Sequence, residues 1–590
     1  MPTITRHDDD NEVQSHAPVL DADNDSVSKN EEEDRNSTSP VAYPVSKKER
    51  KNSYFTSPLF YWMVAIGVVS FVLRIIKIGF SDDTSPVFDE KHYVTQAKEM
   101  LLNGGIEDNP GFGLVVHPPL GKWLLAIGEA IAGYNPYGWR IIPVIAGVVS
   151  VLIISYIVYR VTSSLSLMVF AAVIANFEGV SLTMTRSGML DAFVLFFVCF
   201  ITLCAVMEMT TDNKDVPWHR HWWLLAAGIA TGLMASVKIS GFYYAAIFGV
   251  VFVLMILVVN GKNFMNTVKG FFMGLFYFAV MPLTIAFLSY VPWFSNESSV
   301  YRHQVQADPE SVAEVLPSWL EWIPDAWKNF YYYQQGVFSF HTSLHSSAEN
   351  FHPYESKPWE WLMSARPILF WSEKVDGSDL EHKIWLWGNP LVWYLLVPVF
   401  VYGIIALCVK NWKWIIPVSG LAVGWFPWIV DTERQMYFFY TIALVPFLIM
   451  GLCYIFDDIN SWSDKRKDKK DSPGLKDKDD TTIQEDDSSP LEEETEQEND
   501  ILDESDKDDE SEDDTENVED DSDNDSTRKI KLGTALSAIY ATLVVILAIP
   551  YVIVWTYGVP VNSDIHEKLS IWPGWEVVTD DNVEDILSFG

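Results

Sequence analysis

Long apolar runs, separated by short polar turns and by two extended polar loops, divide the chain. Windows long enough to cross roughly 30 Å of hydrocarbon begin near Leu59, Arg140, Leu165, Met189, Trp222, Phe242, Phe271, Pro390, Trp414, Tyr437 and Leu532. The pattern predicts an all-α integral membrane protein of about eleven transmembrane helices. The runs 222–237 and 242–259 are the hardest to separate, because only "KISG" lies between them. Losing one span there would invert everything after it.

Basic residues set the orientation. "KKERK" (47–51), Arg160, Lys262 with Lys269, Lys410 with Lys413, "KRKDKK" (465–470) and "RKIK" (528–531) fall on one side of the count. By the positive-inside rule that side is cytoplasmic, so the N-terminus is inside and the C-terminus outside. Segments 79–138 and 291–388 become external loops. Arg74, Lys77, Arg140, Arg186, Lys238 and Arg434 lie at the opposite, outer ends of the spans. Singly each is a snorkelling anchor; as a group they predict a site for a lipid phosphate in the outer leaflet.

Composition adds the tails. Of 590 residues 49% are hydrophobic, yet the formal net charge is −38. The acid lies mostly in 1–45 and 457–527, which are too poor in aromatic residues to bury a core and predict disorder. The organisation is therefore a disordered cytoplasmic N-terminus (1–50), a membrane catalytic region (51–456), a disordered cytoplasmic loop (457–530), a last span (531–557) and an external C-terminal segment (558–590). The four cysteines sit in apolar runs and imply no disulfide framework or CxxC metal site. The acidic start predicts no removable signal peptide, and no pattern suggests nucleic-acid binding.

The first loop carries "SPVFDEKHYVTQAKEMLLNGG" (85–105). Asp89 precedes a helical pattern from Glu90 to Leu102, so capping and catalysis are both open for it. The loop continues with "HPPLGKWLLAIGEAIAGYNPYGWR", where Leu120, Trp123, Leu124, Ile127 and Ile131 recur at helical spacing. That segment predicts an amphipathic helix in the outer interface, with His117 and Lys122 at its start facing a cavity near the headgroups.

"FDEKHY", "HPPLGKW", "GWRIIP" and "TRSGMLDAF", in this order, resemble the protein O-mannosyltransferases, and "HPYESKPWEWLMSARP" (352–367), "GNPLVWY" (388–394) and "RQMYFFYTIALVPF" (434–447) extend the resemblance. The family implies a GT-C type bundle of eleven spans. It also implies mannosyl transfer from polyprenyl-phosphate mannose to Ser or Thr hydroxyls of secreted or translocating proteins. Eukaryotic members insert a β-trefoil MIR domain where this chain has only the loop 291–388. The resemblance is therefore to a bacterial-type enzyme of the cell membrane.

Such a donor already carries a good leaving group, so one base suffices. A carboxylate is too weak to ionise a serine beforehand, but it can take the proton as the hydroxyl attacks an oxocarbenium-like centre. By resemblance Asp89 is that base and Glu90 an acceptor-binding or orienting partner, with the reverse assignment open. Arg74 and Arg140 match basic family positions that would meet the phosphate. Lys122, Arg186 and Arg434 are further candidates for it. Asp191 predicts an ion pair with Arg186 or Lys238.

His341, His345 and His352 lie near Tyr354, Trp359, Trp361 and Arg366 without metal-ligand spacing. They, with Arg366, predict a wall of the donor site; no cofactor or metal is expected. Two other readings stand beside this one: a lipid-phosphate-sugar transferase acting on lipid or glycan, and a flippase of an anionic lipid. The latter would place ionisable groups near the midplane. No motif names a protein partner; a homodimer and a complex with the export machinery both stay open.

Overall fold

The computed structural model describes residues 57–80, 85–106, 116–211, 221–260, 264–346, 352–471, 530–556 and 559–570. Every apolar window above contains a helix. Among the described residues seven helices are long and apolar enough to cross a membrane: Pro58–Ile75 (α1), Pro136–Thr162, Asp191–Thr210, Phe264–Leu288, Pro390–Cys408, Phe438–Arg466 and Leu532–Thr556. The remaining windows hold shorter helices, among them Leu165–Asn176, Trp222–Ala235 and Ile415–Trp425. The chain is a multi-pass membrane protein with a mostly helical bundle.

Burial ranks the long helices. In Phe438–Arg466 the apolar window is 89% buried, against 17% in Pro58–Ile75 and in Phe264–Leu288, so the first is central and the other two peripheral. The exposed positions of the peripheral helices are themselves apolar, Val64, Val68 and Val72 on α1 and Phe271, Phe272 and Leu283 on Phe264–Leu288. A helix apolar on its outward face suits lipid rather than water.

The first long loop holds two helices, Glu90–Leu102 (α2) and Leu120–Ala132 (α3), and leads into Pro136–Thr162 (α4). Asn135 caps α4, its side-chain oxygen accepting from the N–H of Tyr137 and Gly138 at 3.0 and 3.1 Å, with Pro136 at the first turn. Where α3 crosses that start, a Cβ on Gly128 would lie 2.2 Å from the Gly138 carbonyl oxygen, so only glycine allows the approach. The apolar positions of α3 are split: Ile127 and Ile131 are exposed, Leu120 and Leu124 pack on the core, and Lys122 and Glu129 are buried. The exposed isoleucines support an interface helix lying on hydrocarbon.

The second long loop departs from an all-α expectation. Ile368–Lys374 (β1) and Leu380–Leu386 (β2) pair antiparallel, with Ile368 opposite Leu386 and Lys374 opposite Glu381. Val561–Asn562 (β3) adds to β2, so part of the C-terminal segment is docked on this sheet. Asp376-Gly377 between strands is a hairpin signal, and Gly377 has φ +73°.

The central helix continues to Asp471, beyond 456 where disorder was expected to begin, so the start of the acidic loop is helical. The predicted disordered N-terminus and the rest of that loop lie outside the described residues.

Candidate active site

The "FDE" turn sends two adjacent carboxylates in opposite directions. Phe88 has φ +50°, a left-handed conformation uncommon for a bulky residue. Its ring is held against Phe370 and Phe439, with centroids 4.6 and 6.0 Å away. The turn closes through Glu90 N–H to the Val87 carbonyl at 3.0 Å.

Glu90 points into the protein and is fully buried. Arg140 donates to it through Nε and Nη2 at 2.8 Å each, Trp139 Nε1 at 3.2 Å, and the N–H groups of Gly188 and Val87 at 2.6 and 3.0 Å. Arg140 is completed by the Ile78 carbonyl at 2.8 Å and lies 3.9 Å over the Phe80 ring.

Asp89 points the other way, into a cavity of about 820 Å³ that it shares with His117, Asp191, Lys238, His341 and Arg434. It stands at the N-cap position of α2, yet its side chain makes no capping bond. The carboxylate accepts instead from the Tyr93 hydroxyl at 3.4 Å. Burial raises its pKa above the ordinary value, opposed chiefly by the charge of Lys238 and then of His92.

Opposite, Lys238 Nζ lies 2.7 Å from Asp191, the second of the two partners expected for that residue. His117 lies between Tyr93 and His341, centroids 5.5 and 5.7 Å away, and its Nδ1 is buried without a partner among the described residues. Burial, reinforced by Lys238, holds His117 well below the usual histidine pKa, and burial lowers His341 too. Both rings are therefore neutral at pH 7. His341 Nε2 is 3.2 Å from the Val116 carbonyl, and Arg434 donates to the carbonyl of His341 itself. Arg434 Nε has no partner among the described residues.

Besides Glu90 and His345, six expected site residues do not line this cavity, and each has a visible reason. Arg74 donates to Thr185 at 3.0 Å and Asn176 at 2.7 Å inside the bundle. Arg140 is clamped by Glu90. Arg186 ties the carbonyls of Leu73, Arg74 and Ile76, which end α1, to that of Thr556. Lys122 is fully buried and donates to the His117 carbonyl at 3.0 Å, acting behind the wall. Arg366 pairs with Glu360 at 3.1 Å. His352 packs edge-on against Tyr437, itself a lining residue. Among the described residues no group of three or more His, Cys, Asp or Glu could hold a metal ion.

His92, Tyr93 and Gln96 also line the cavity, and sequence reasoning assigned none of them a role. Their spacing of 3, 4 and 7 from Asp89 puts them on its helical face, a signal present in "DEKHYVTQ".

Residues 64–296 match the dolichyl-phosphate-mannose-protein mannosyltransferase family, and residues 326–484 match the C-terminal four-TMM region of protein-O-mannosyltransferase. A polyprenol-phosphate-mannose–protein mannosyltransferase of Mycobacterium tuberculosis is 36% identical over 439 residues, 68% of this chain and 81% of that protein. The enzyme of the same name from Corynebacterium glutamicum is 35% identical over 451 residues, 70% and 84% of the two chains. The fold is similar to the S. cerevisiae protein O-mannosyltransferase Pmt1-Pmt2 complex bound to the sugar donor, with a TM-score of 0.64 at 13% identity, covering 90% of this chain and 95% of that one.

Proposed function

This chain belongs to the protein O-mannosyltransferase family, and from that premise we propose how its cavity carries the reaction. It is a membrane glycosyltransferase that moves mannose from a polyprenyl-phosphate-mannose donor to protein. Asp89 is the base. The observation that carries this assignment is the contrast between neighbours. Glu90 accepts five hydrogen bonds inside the protein, which suits an orienting role, whereas Asp89 faces the cavity with no capping bond.

In this reading the acceptor Ser or Thr oxygen attacks the anomeric carbon from the side opposite the phosphate. The hydroxyl proton passes to Asp89. The bond from that carbon to the phosphate oxygen breaks, and the polyprenyl phosphate leaves with the electron pair, inverting the anomeric centre. Arg434, whose side chain lines the cavity, meets the charge that develops on the phosphate. His117, held below the usual histidine pKa by burial, lines the cavity and contacts the sugar. His352 supports the wall through Tyr437.

The distribution of basic residues supports a cell-membrane enzyme with a cytoplasmic N-terminus and the cavity on the external side. In this reading the acceptors are Ser/Thr-containing chains as they emerge from the export machinery.

The test supplies radiolabelled polyprenyl-phosphate mannose and a Ser/Thr-rich peptide to membranes containing the wild-type chain or Asp89→Asn. Label enters the peptide with wild type only. Equal transfer by both would remove Asp89 from the chemistry, and transfer by neither would call for another acceptor.

A further inference from the structure

The bundle buries a lysine in the same cavity as the proposed base, and the family reaction as set out above gives it no task. Lys238 is in the turn between helices Trp222–Ala235 and Gly241–Asn260, and it lines the cavity together with Asp89. Three contacts fix its place. Asp191 Oδ2 lies 2.7 Å from Nζ. The ring of Phe439 lies 5.6 Å from Nζ. That ring also packs edge-on against Phe88, the residue before Asp89, at 6.0 Å. Asp191, Lys238, Phe439 and the "FDE" turn therefore form one packed series.

A buried carboxylate on its own takes up a proton, because burial disfavours the charged form. A protonated Asp89 could not accept a second proton from the acceptor hydroxyl. The titratable and charged groups that share the cavity with Asp89 are His92 and Tyr93 on α2, His117, Asp191 at the start of its helix, Lys238 in its turn, Tyr243 and Tyr244, His341, Asp431, Arg434, Tyr437 and Tyr440. Tyr93 donates a hydrogen bond, and a second carboxylate repels. Of the two cations there that are not histidines, Lys238 and Arg434, Lys238 is the one whose charge acts on Asp89.

Resting on the reading of Asp89 as base, we infer that Lys238 is its positioning residue: the ammonium, anchored by Asp191 and packed on Phe439, keeps Asp89 ionised and ready to accept a proton. Asp191 acts one step further back. Its carboxylate neutralises Lys238 in part and holds it in place, so that the lysine is directed toward the cavity rather than drawn out to the interface.

A hydrophobic carbodiimide reacts with protonated buried carboxyl groups, so the pH of half-labelling of Asp89, read by mass spectrometry, reports its ionisation without reference to turnover. The full-length wild type, Lys238→Arg, Lys238→Met and Lys238→Gln are labelled across pH 4 to 9 in detergent. The glutamine variant retains an N–H for Asp191. Half-labelling moves upward by about one to three pH units in the neutral variants and stays near wild type in Lys238→Arg. The acid limb of kcat/KM for transfer moves with it. An unchanged half-labelling pH in a folded neutral variant overturns the inference, as does failure of both neutral variants to fold while Lys238→Arg folds, which makes the lysine structural only. A labelling shift with no shift of the acid limb keeps the inference about ionisation and rejects Asp89 as base.

Discussion

Glu90 and Arg140 meet in a two-pronged pair, Nε to Oε1 and Nη2 to Oε2 at 2.8 Å each, with neither side chain exposed. The pair joins the "FDE" turn to the second long helix of the bundle. It fixes the backbone from which Asp89 projects, and leaves no guanidinium face for a phosphate.

Arg140→Gln strands the Glu90 carboxylate in the core. Breaking one side of a buried pair costs roughly 3–5 kcal/mol, a large share of the stability of most domains. The expected result is less folded protein in the membrane and a lower thermal midpoint, seen by fluorescence-detected size exclusion. In the surviving fraction donor and peptide KM change together. A normal midpoint with a raised donor KM alone would return Arg140 to the donor site.

Asp89→Asn should lose transfer by about 10²- to 10⁴-fold, the usual worth of a positioned base, and gain stability at neutral pH. The sign follows from the raised pKa in the folded protein. Such a group contributes stability fully present below its unfolded pKa of about 4 and lost as pH rises through the folded value. At pH 7 the buried carboxylate is a burden that the amide removes. The thermal midpoint of Asp89→Asn should exceed wild type at pH 7, and the gap should close toward pH 4.

His117 and His341 act with the opposite sign. Their pKa values are depressed in the folded protein, so their contribution is present above about pH 6.5 and lost as pH falls through the folded values, because the unfolded chain takes the protons first. Wild-type protein should lose thermal stability between pH 7.5 and 5.5. His117→Gln should show a flatter profile over that interval in differential scanning fluorimetry; an equal slope would mean that His117 is not held neutral.

Much of this was legible in the chain, and the gaps have physical causes. Apolar windows predict helices well because lipid demands internally bonded backbone, and every window held one. The hairpin at Asp376-Gly377 was passed over because its strands are short and lie in a loop read for aromatic residues. For the site, Asp89 was identified by motif, and its exposure to the cavity depends on the left-handed Phe88, which no local propensity foretells. The arginines misled. A cation at a helix end reads the same in sequence whether it meets a ligand or, like Arg186, ties the carbonyls of Leu73 and Ile76 to that of Thr556. Lys238 was read as one of the outer cations and as a partner of Asp191, but not as a neighbour of Asp89, since its cavity face depends on how two helices cross.

Arg434 is, with Lys238, one of the expected outer cations that reach the cavity. One of its nitrogens holds the His341 carbonyl, and the side chain also bonds Tyr440 on the cavity wall. A hydrogen bond to a charged partner contributes roughly 1.5–3 kcal/mol, so Arg434→Gln should raise the donor KM by about 10- to 150-fold and leave the peptide KM near wild type. Arg434→Lys retains the charge but cannot serve His341 and the phosphate in the same fork geometry, and should fall between the two. Titration of polyprenyl-phosphate mannose at saturating peptide, then of peptide at saturating donor, separates the constants. A parallel rise in both would mean that Arg434 serves only to hold His341 in the wall, and the phosphate would then need another cation.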